Sequence, residues 1–197
     1  MKPTPLASRR NFNLVSLLAL SFAWPHAADA QTPTGRMPSI KAENLNGLAV
    51  TLPADLPGEK TLVLMAFQRE QQNALNTWIE ALDLVSGKLP WMEVPVVGPG
   101  GRFWQGVVNT GMRAGIRDES VRERTVTLFT DRSALLRDMG LPGEGKVVLV
   151  LVMNRSGEVL AHVQGRHSED KAKLLLAALP ATSLPATSLP AAGLQSK

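Results

Sequence analysis

The chain has 197 residues, of which 44% are hydrophobic and 19% charged, with 16 Gly, 14 Pro and a formal net charge of +4. This composition is typical of a globular domain and excludes collagen-like, coiled-coil and wholly disordered chains. Cysteine is absent. The absence excludes disulfides, thiolate nucleophiles, Cys-ligated zinc, iron–sulfur clusters and covalently attached c-type haem.

Residues 1–30 have the pattern of a cleaved export signal. Basic residues precede a mostly apolar run (12–24), and Ala28-Asp29-Ala30 then supplies the small-x-small pattern that signal peptidase accepts. The run has 13 residues, fewer than the roughly 20 that a membrane-spanning helix needs, so no stable membrane span is expected after cleavage. We expect a periplasmic protein of a bacterial envelope.

The signal leaves two export routes open. Ser8-Arg9-Arg10-Asn11-Phe12 resembles the twin-arginine signal, although Asn13 stands where that pattern has Leu. Paired arginines also occur in ordinary secretory signals.

Without residues 1–30 the chain holds 18 Lys and Arg against 16 Asp and Glu. Because these charges are interspersed, nucleic acid is not an expected partner.

The first elements after a leader (31–39) are a hairpin and a buried strand. Asn46-Gly47 is a strong tight-turn dipeptide, and it separates two short strand patterns at 40–45 and 48–52. Thr61 to Phe67 is then a nearly continuous apolar run, which predicts a central strand covered on both faces. Apolar residues at helical spacing predict a helix over 70–85.

Strands and helices continue to alternate along the chain. The pattern predicts strands at 92–97, 125–129, 147–153 and 159–163 and helices at 103–116, 132–139 and 168–179. Asn154 to Gly157 is the expected turn between the last two strands, and Ser168 is the expected cap of the last helix. The predicted fold is α/β: a mixed sheet with helices on both faces, preceded by an N-terminal β-hairpin.

The last residues, 180–197, are a low-complexity tail. Leu179-Pro180-Ala181-Thr182-Ser183 recurs at 184–188, and a related five-residue step follows. Five residues are too few for a packed repeat unit, so we expect a Pro-stiffened disordered tail that is dispensable for folding. The predicted folded domain is therefore 40–179.

The order of elements resembles the thioredoxin-like fold of peroxiredoxins and thiol reductases over residues 40–179. Those families carry a Cys-x-x-Cys loop after the central strand, where this chain reads Gln68-Arg69-Glu70-Gln71-Gln72. They also place a cis-proline at the start of a later strand, where this chain has Val148, and an Asp in the following turn, where it has Asn154. The resemblance implies the fold with both halves of the redox site missing.

A narrower resemblance is carried by three strings: FQREQQNALNTW (67–78), RFWQGVVNTGMRAGI (102–116) and TVTLFTD (125–131). They are similar to a cysteine-free thioredoxin-fold family that includes the mitochondrial ATP-synthase assembly factor and its bacterial relatives. That resemblance implies a protein that helps to assemble or hold other proteins.

Two polar or aromatic groups are candidate partner-binding residues. Gln68, Arg69, Gln71 and Gln72 follow the central strand, at the edge where open α/β sheets usually bind ligands. Such residues are also common in a solvated helix start. The second group, Arg102, Trp104, Met112 and Arg113 beside Phe103, has the composition of interface centres, but several of its members also fit one core-facing helical stripe.

Other motifs lack the context that their chemistry requires. The glycine-rich turns at 98–101 and 140–145 are weak anion-site signals, and the second precedes a strand instead of following one. His162 and His167 have no further ligand spacing for a metal. No nucleophile elbow or metalloprotease motif is present. We therefore expect no catalytic residues, no metal and no cofactor.

The function that these patterns favour is a non-redox envelope protein that binds or helps to assemble other proteins and is not an enzyme. The expected partner is another envelope protein. A thiol-independent enzyme or a small-ligand binder that uses the Gln/Arg crevice is the alternative.

Overall fold

A β-hairpin and a five-stranded sheet organise residues 35–180, the part of the chain that the computed structural model describes, with the side chain of Arg102 excepted. In the hairpin, β1 (Ile40–Glu43) and β2 (Ala49–Leu52) pair antiparallel. The turn between them requires the positive φ of +83° at Gly47, a conformation that glycine adopts without strain. The predicted hairpin is confirmed.

The sheet has the strand order β5-β4-β3-β6-β7. Neighbours β3, β4 and β5 run parallel, whereas β6 is antiparallel to β3, and β7 is antiparallel to β6. The mixed sheet is therefore as predicted. Its strands are β3 (Lys60–Ala66), β4 (Trp91–Val97), β5 (Leu128–Phe129), β6 (Leu149–Asn154) and β7 (Val159–Gln164).

Helices connect these strands. Short 3-10 turns, Arg69–Gln71, Leu84–Ser86 and Pro99–Trp104, precede or follow them. The α-helices are α1 (Gln72–Ala81), α2 (Gln105–Gly115), α3 (Glu119–Glu123), α4 (Arg132–Asp138) and α5 (Glu169–Ala178).

The central strand β3 divides the interior into two apolar clusters. Val63 and Met65 point to one face of the sheet, where they pack in a cluster with Leu136 of α4. Leu64 points to the other face, into a cluster that includes Trp78 of α1 and the α5 residue Leu175. This alternation follows from the two-residue period of a strand. Helices thus cover both faces, as the pattern of β3 predicts.

The structure differs from the sequence-based prediction in several local details. Strand β5 has two residues where a strand at 125–129 was predicted, and α1 ends at Ala81 where the helix was predicted to reach residue 85. Helix α3 was not predicted; the carboxylate of Asp118 caps it by accepting hydrogen bonds from the backbone N–H groups of Ser120 and Val121. Helix α1 begins at Gln72, because residues 69–71 form a tighter 3-10 turn. The predicted cap Ser168 occupies the N-cap of α5, but its side chain makes no capping hydrogen bond.

Two predicted segments lie outside the described residues: the export signal at 1–30 and the tail from 181 onward. Within residues 35–180, no helix combines the length and the apolar character that a bilayer crossing requires.

Candidate functional site

The turn between β3 and α1 presents the polar residues that the sequence singled out. Gln68 has extended backbone angles (φ −147°, ψ 148°) and ends the strand conformation. Its side chain and those of Arg69 and Gln72 are exposed, whereas Gln71 is buried. The turn therefore divides the four predicted residues into three that face solvent and one that faces the protein interior.

Gln71 joins the turn to the loop that precedes β6. Its Oε1 accepts a hydrogen bond from the backbone N–H of Phe67 (2.8 Å), and its Nε2 donates one to the carbonyl oxygen of Gly145 (3.0 Å). A buried amide group satisfied at both ends fixes the two segments relative to each other. We call this pair of hydrogen bonds the Gln71 clamp.

An open groove of about 420 Å³ lies beside the clamp, at the carboxyl end of β3. Its apolar floor is formed by Phe67, which directly follows β3, Leu136 of α4 and Leu149 of β6. Gly145 approaches this floor closely, since a Cβ there would lie 2.6 Å from Cγ of Phe67. The remaining lining residues are Pro142, Gly143, Glu144, Lys146, Val147 and Gln164.

The rim of the groove is polar and holds one ion pair. Lys146 Nζ lies 2.9 Å from a carboxylate oxygen of Glu144, and both side chains are largely exposed. Gln164 Nε2 donates a hydrogen bond to the carbonyl oxygen of Pro142 (3.1 Å). Val147 adds a partly exposed apolar side chain. An apolar floor with polar groups at its rim suits a segment of peptide or a small organic molecule.

The second predicted group lies on α2 and the 3-10 turn before it, and it is not part of the groove lining. Trp104 is 66% exposed and Phe103 is 94% exposed. Met112 is half-buried, and its Sδ accepts a hydrogen bond from Thr127 Oγ1 (3.6 Å). Arg113 Nε donates to the carbonyl oxygen of Leu45 (2.6 Å), so this side chain ties α2 to the β-hairpin.

The core-facing interpretation of the α2 stripe does not hold for its largest side chain. No residue of α2 is buried, and Trp104 at its start faces solvent. Arg102 lies in the preceding 3-10 turn, Pro99–Trp104. The eight predicted binding residues therefore belong to two separate segments, the β3–α1 turn and α2 with the 3-10 turn before it.

Glu93 is a buried carboxyl group that the sequence reasoning did not select. It lies in β4 between Leu64 of β3 and Thr125, with which it forms the next parallel bridge. Burial raises the pKa of Glu93, and a hydrogen bond with the side chain of Gln72 offsets part of that rise. A single acid in the otherwise apolar string WMEVPVV is the sequence signal that could have identified it.

The two histidines considered as metal ligands, His162 and His167, pack in different surroundings. His167 lies edge-on to the indole ring of Trp78, with ring centroids 5.0 Å apart. His162 is on β7, where burial lowers its pKa. Among residues 35–180, no cluster of three or more His, Cys, Asp or Glu could hold a metal ion.

The groove was not predicted residue by residue, although its place at the end of β3 was. Phe67 and Gln71 contribute to the groove floor and to the clamp beside it, whereas Gln68, Arg69 and Gln72 lie on the adjoining turn and outside the lining. Leu136 and Gln164 are distant from the turn in sequence, so no local pattern links them to it. Val148, at the position of the cis-proline in the families that the chain resembles, is buried.

Solved structures show where this fold occurs elsewhere. BsSco, a member of the Sco family of cytochrome c oxidase assembly proteins, is 12% identical, with a TM-score of 0.53 over 80% of this chain and 98% of its own. A putative electron transfer protein from Aquifex aeolicus VF5 is also 12% identical, with a TM-score of 0.51 over 73% of this chain and 92% of its own.

A putative thiol:disulfide interchange protein DsbE from Chlorobium tepidum is 16% identical, with a TM-score of 0.47 over 76% of this chain and 98% of its own. No family model and no curated protein matches the sequence. The chain has a thioredoxin-like fold, and it has no cysteine.

Proposed function

We propose that this chain is a non-redox, thioredoxin-like protein of the cell envelope that binds another protein, and helps to assemble it, through the groove beside the β3–α1 turn. The observation that carries the proposal is the Gln71 clamp. It holds an open groove of about 420 Å³ at the carboxyl end of the central strand, in a chain that has no thiol.

The lining of the groove supports recognition of an extended peptide segment. Phe67, Leu136 and Leu149 offer an apolar surface for one or two side chains. The rim supplies an exposed carboxylate and an ammonium group on Glu144 and Lys146. Apolar pockets flanked by polar groups that fix orientation are typical of peptide and ligand sites.

The assembly role and the envelope location rest on sequence patterns. Residues 1–30 have the pattern of an export signal. The strings around the β3–α1 turn and α2 resemble the cysteine-free family of the ATP-synthase assembly factor. A Sco-family assembly protein has the same fold. Because no thiolate can form in this chain, we assign it no disulfide exchange.

In-cell photocrosslinking tests this function. A photoreactive residue at position 69 should give a discrete crosslinked protein, and a photoreactive residue at the exposed position 173 on α5 should not. Val147→Asp places a charge in the groove and should abolish the product, whereas Val85→Asp, at another exposed valine, should leave it unchanged. Equal products at positions 69 and 173, or a product insensitive to Val147→Asp, would contradict the proposal.

Arg69→Ala should weaken partner binding by about 2 kcal/mol or more, because a desolvated guanidinium is a frequent centre of binding energy. The same change should cost less than about 0.5 kcal/mol of unfolding free energy, since Arg69 is exposed. Affinity is measured by titration with the partner protein that crosslinking identifies, and the unfolding free energy is measured by urea unfolding. Lys173→Ala is the control for the loss of a positive charge. A large stability loss would make Arg69 a structural residue, and unchanged affinity would remove it from the site.

A small-ligand binder or thiol-independent enzyme is the second candidate, because the groove volume lies within the range of small-molecule sites. Thermal-shift screening of envelope metabolites separates it from the first. A ligand at a hundredfold excess over its Kd should stabilise the fold by about 2.7 kcal/mol. The stabilisation should disappear in Val147→Asp.

A further inference from the structure

Among residues 35–180, the exposed face formed by α2 and the 3-10 turn before it carries half of the large apolar side chains that face solvent. Phe103 is 94% exposed and Trp104 and Val107 are each 66% exposed, whereas the other three in the described part of the chain are scattered: Leu48, Val85 and Val147. Thr110, Gly111 and Ala114 continue this exposed face with small side chains. We call these six α2-side residues, Phe103, Trp104, Val107, Thr110, Gly111 and Ala114, the α2 outer face.

The segment that forms this face carries charged side chains of a single sign. The sequence has no Asp or Glu from Val94 to Arg117, and it has three arginines there: Arg102, Arg113 and Arg117. Asp118 is the first acid after Trp104, fourteen residues on and beyond the end of α2. Its carboxylate caps α3, the helix that follows. The α2 outer face therefore complements a negatively charged surface.

A second copy of the chain does not fit this charge. A two-fold symmetric contact through α2 would bring two segments of the same charge together. The aromatic side chain of Phe103 also projects into solvent, since it is almost fully exposed. A deformable surface with negative charge would accommodate both the exposed aromatic rings and the positive charge of this segment.

We propose that the α2 outer face docks on an anionic phospholipid bilayer. Phe103, Trp104 and Val107 enter the headgroup region, where tryptophan and other aromatic rings partition favourably. Arg117, which is exposed, contributes attraction to anionic headgroups. The hydrogen bond from Arg113 to the carbonyl of Leu45 holds the helix against the hairpin during this contact. The proposal is independent of the groove and of the partner bound there.

Vesicle sedimentation tests the proposal. The protein is purified in the form that the cell exports, and it is mixed with vesicles of phosphatidylglycerol and phosphatidylcholine or of phosphatidylcholine alone. Wild type should bind the anionic vesicles, and Phe103→Ser/Trp104→Ser should reduce the partition coefficient by about tenfold or more. Leu48→Ser/Val85→Ser, a matched loss of two exposed apolar side chains, should leave it unchanged.

Separate measurements test the electrostatic contribution to vesicle binding and the depth to which Trp104 inserts. Arg117→Gln should weaken binding to anionic vesicles, and raising salt from about 0.1 M to about 1 M should weaken it further. Brominated lipids should quench the fluorescence of Trp104, because Trp78 and Trp91 are fully buried. Thermal unfolding confirms that each variant is folded.

Three results would overturn the proposal. One is the absence of wild-type binding to anionic vesicles. Another is equal binding by wild type and the Phe103→Ser/Trp104→Ser variant. The third is crosslinking of position 104 in cells to a protein and not to lipid, which would make the α2 outer face a protein interface.

Discussion

Two hydrogen bonds from the amide group of Gln71 hold the end of β3 against the loop before β6. Gln71→Ala leaves the N–H of Phe67 and the carbonyl of Gly145 without these bonds, in a place where little water can replace them. The variant should lose about 2 kcal/mol or more of unfolding free energy. Urea unfolding measures this loss.

Gln68→Ala is the control for that substitution. Gln68 is a glutamine on the same turn, but it is exposed and its side chain makes no capping hydrogen bond. Its replacement should change the unfolding free energy by less than about 0.5 kcal/mol. Equal effects of the two substitutions would mean that the clamp does not contribute to stability.

Glu93 should make stability depend on pH. Burial raises its pKa in the folded chain, so the folded state holds this proton more tightly than the unfolded state. This stabilisation is complete below the ordinary pKa of a glutamate, and it is lost as the pH rises through the raised value. Glu93→Gln should therefore be more stable than wild type at about pH 8, and the advantage should shrink towards about pH 4.

Unfolding free energies of wild type and Glu93→Gln, measured across that range, test this expectation. Glu80→Gln, at an exposed glutamate on α1, is the control and should follow the wild-type curve. A Glu93→Gln curve parallel to wild type would show that ionisation of Glu93 does not limit stability.

At the scale of elements, the sequence predicted those that a continuous hydrophobic pattern specifies. Strand β3 was predicted because Leu62, Leu64 and Met65 are all apolar, as required of a strand buried on both faces. Helix α3 was missed because its five residues are mostly polar and show no apolar periodicity; apart from its Asp118 cap, contacts with the hairpin hold it in place. One such contact is the hydrogen bond from Asn44 Nδ2 to the carbonyl of Glu123 (3.2 Å).

Helix α2 shows the limit of periodicity more clearly. Its spacing predicted a helix correctly, but apolar residues at helical spacing indicate only that one face is apolar. They do not indicate whether the same chain covers that face. The floor of the groove was unpredictable for a related reason, because Phe67, Leu136 and Leu149 are brought together only by the order of the strands.

Helix α5 defines where the folded domain ends. Leu175 and Leu179 are buried in the cluster on its side of the sheet. Removal of residues 180–197 should shift the Tm by less than about two degrees, because we expect the tail to contribute no buried surface. Truncation after Leu174 removes both buried leucines and should cost several kcal/mol, about 2 or more for each. A large shift from the shorter deletion would show that the tail docks on the domain.

For the whole molecule, the fold and the chemistry are separable. The thioredoxin-like sheet is retained, but the sequence contains no cysteine. Purified protein should therefore show no disulfide reductase or peroxidase turnover above a contaminant control, since both reactions need a thiolate. An insulin-reduction assay and a peroxide-consumption assay measure this. Turnover that copurifies with the folded protein would contradict the expectation.

The Gln71 clamp also determines which external conditions the groove can sense. An amide hydrogen bond neither gains nor loses electrons, so the distance between the β3–α1 turn and the loop at Gly145 is the same under oxidising and reducing conditions. A disulfide in that place would open or close with the redox poise of the compartment. A protein bound in this groove would therefore remain bound during oxidative stress. Its release would require a competing ligand for the groove or unfolding of the thioredoxin-like domain.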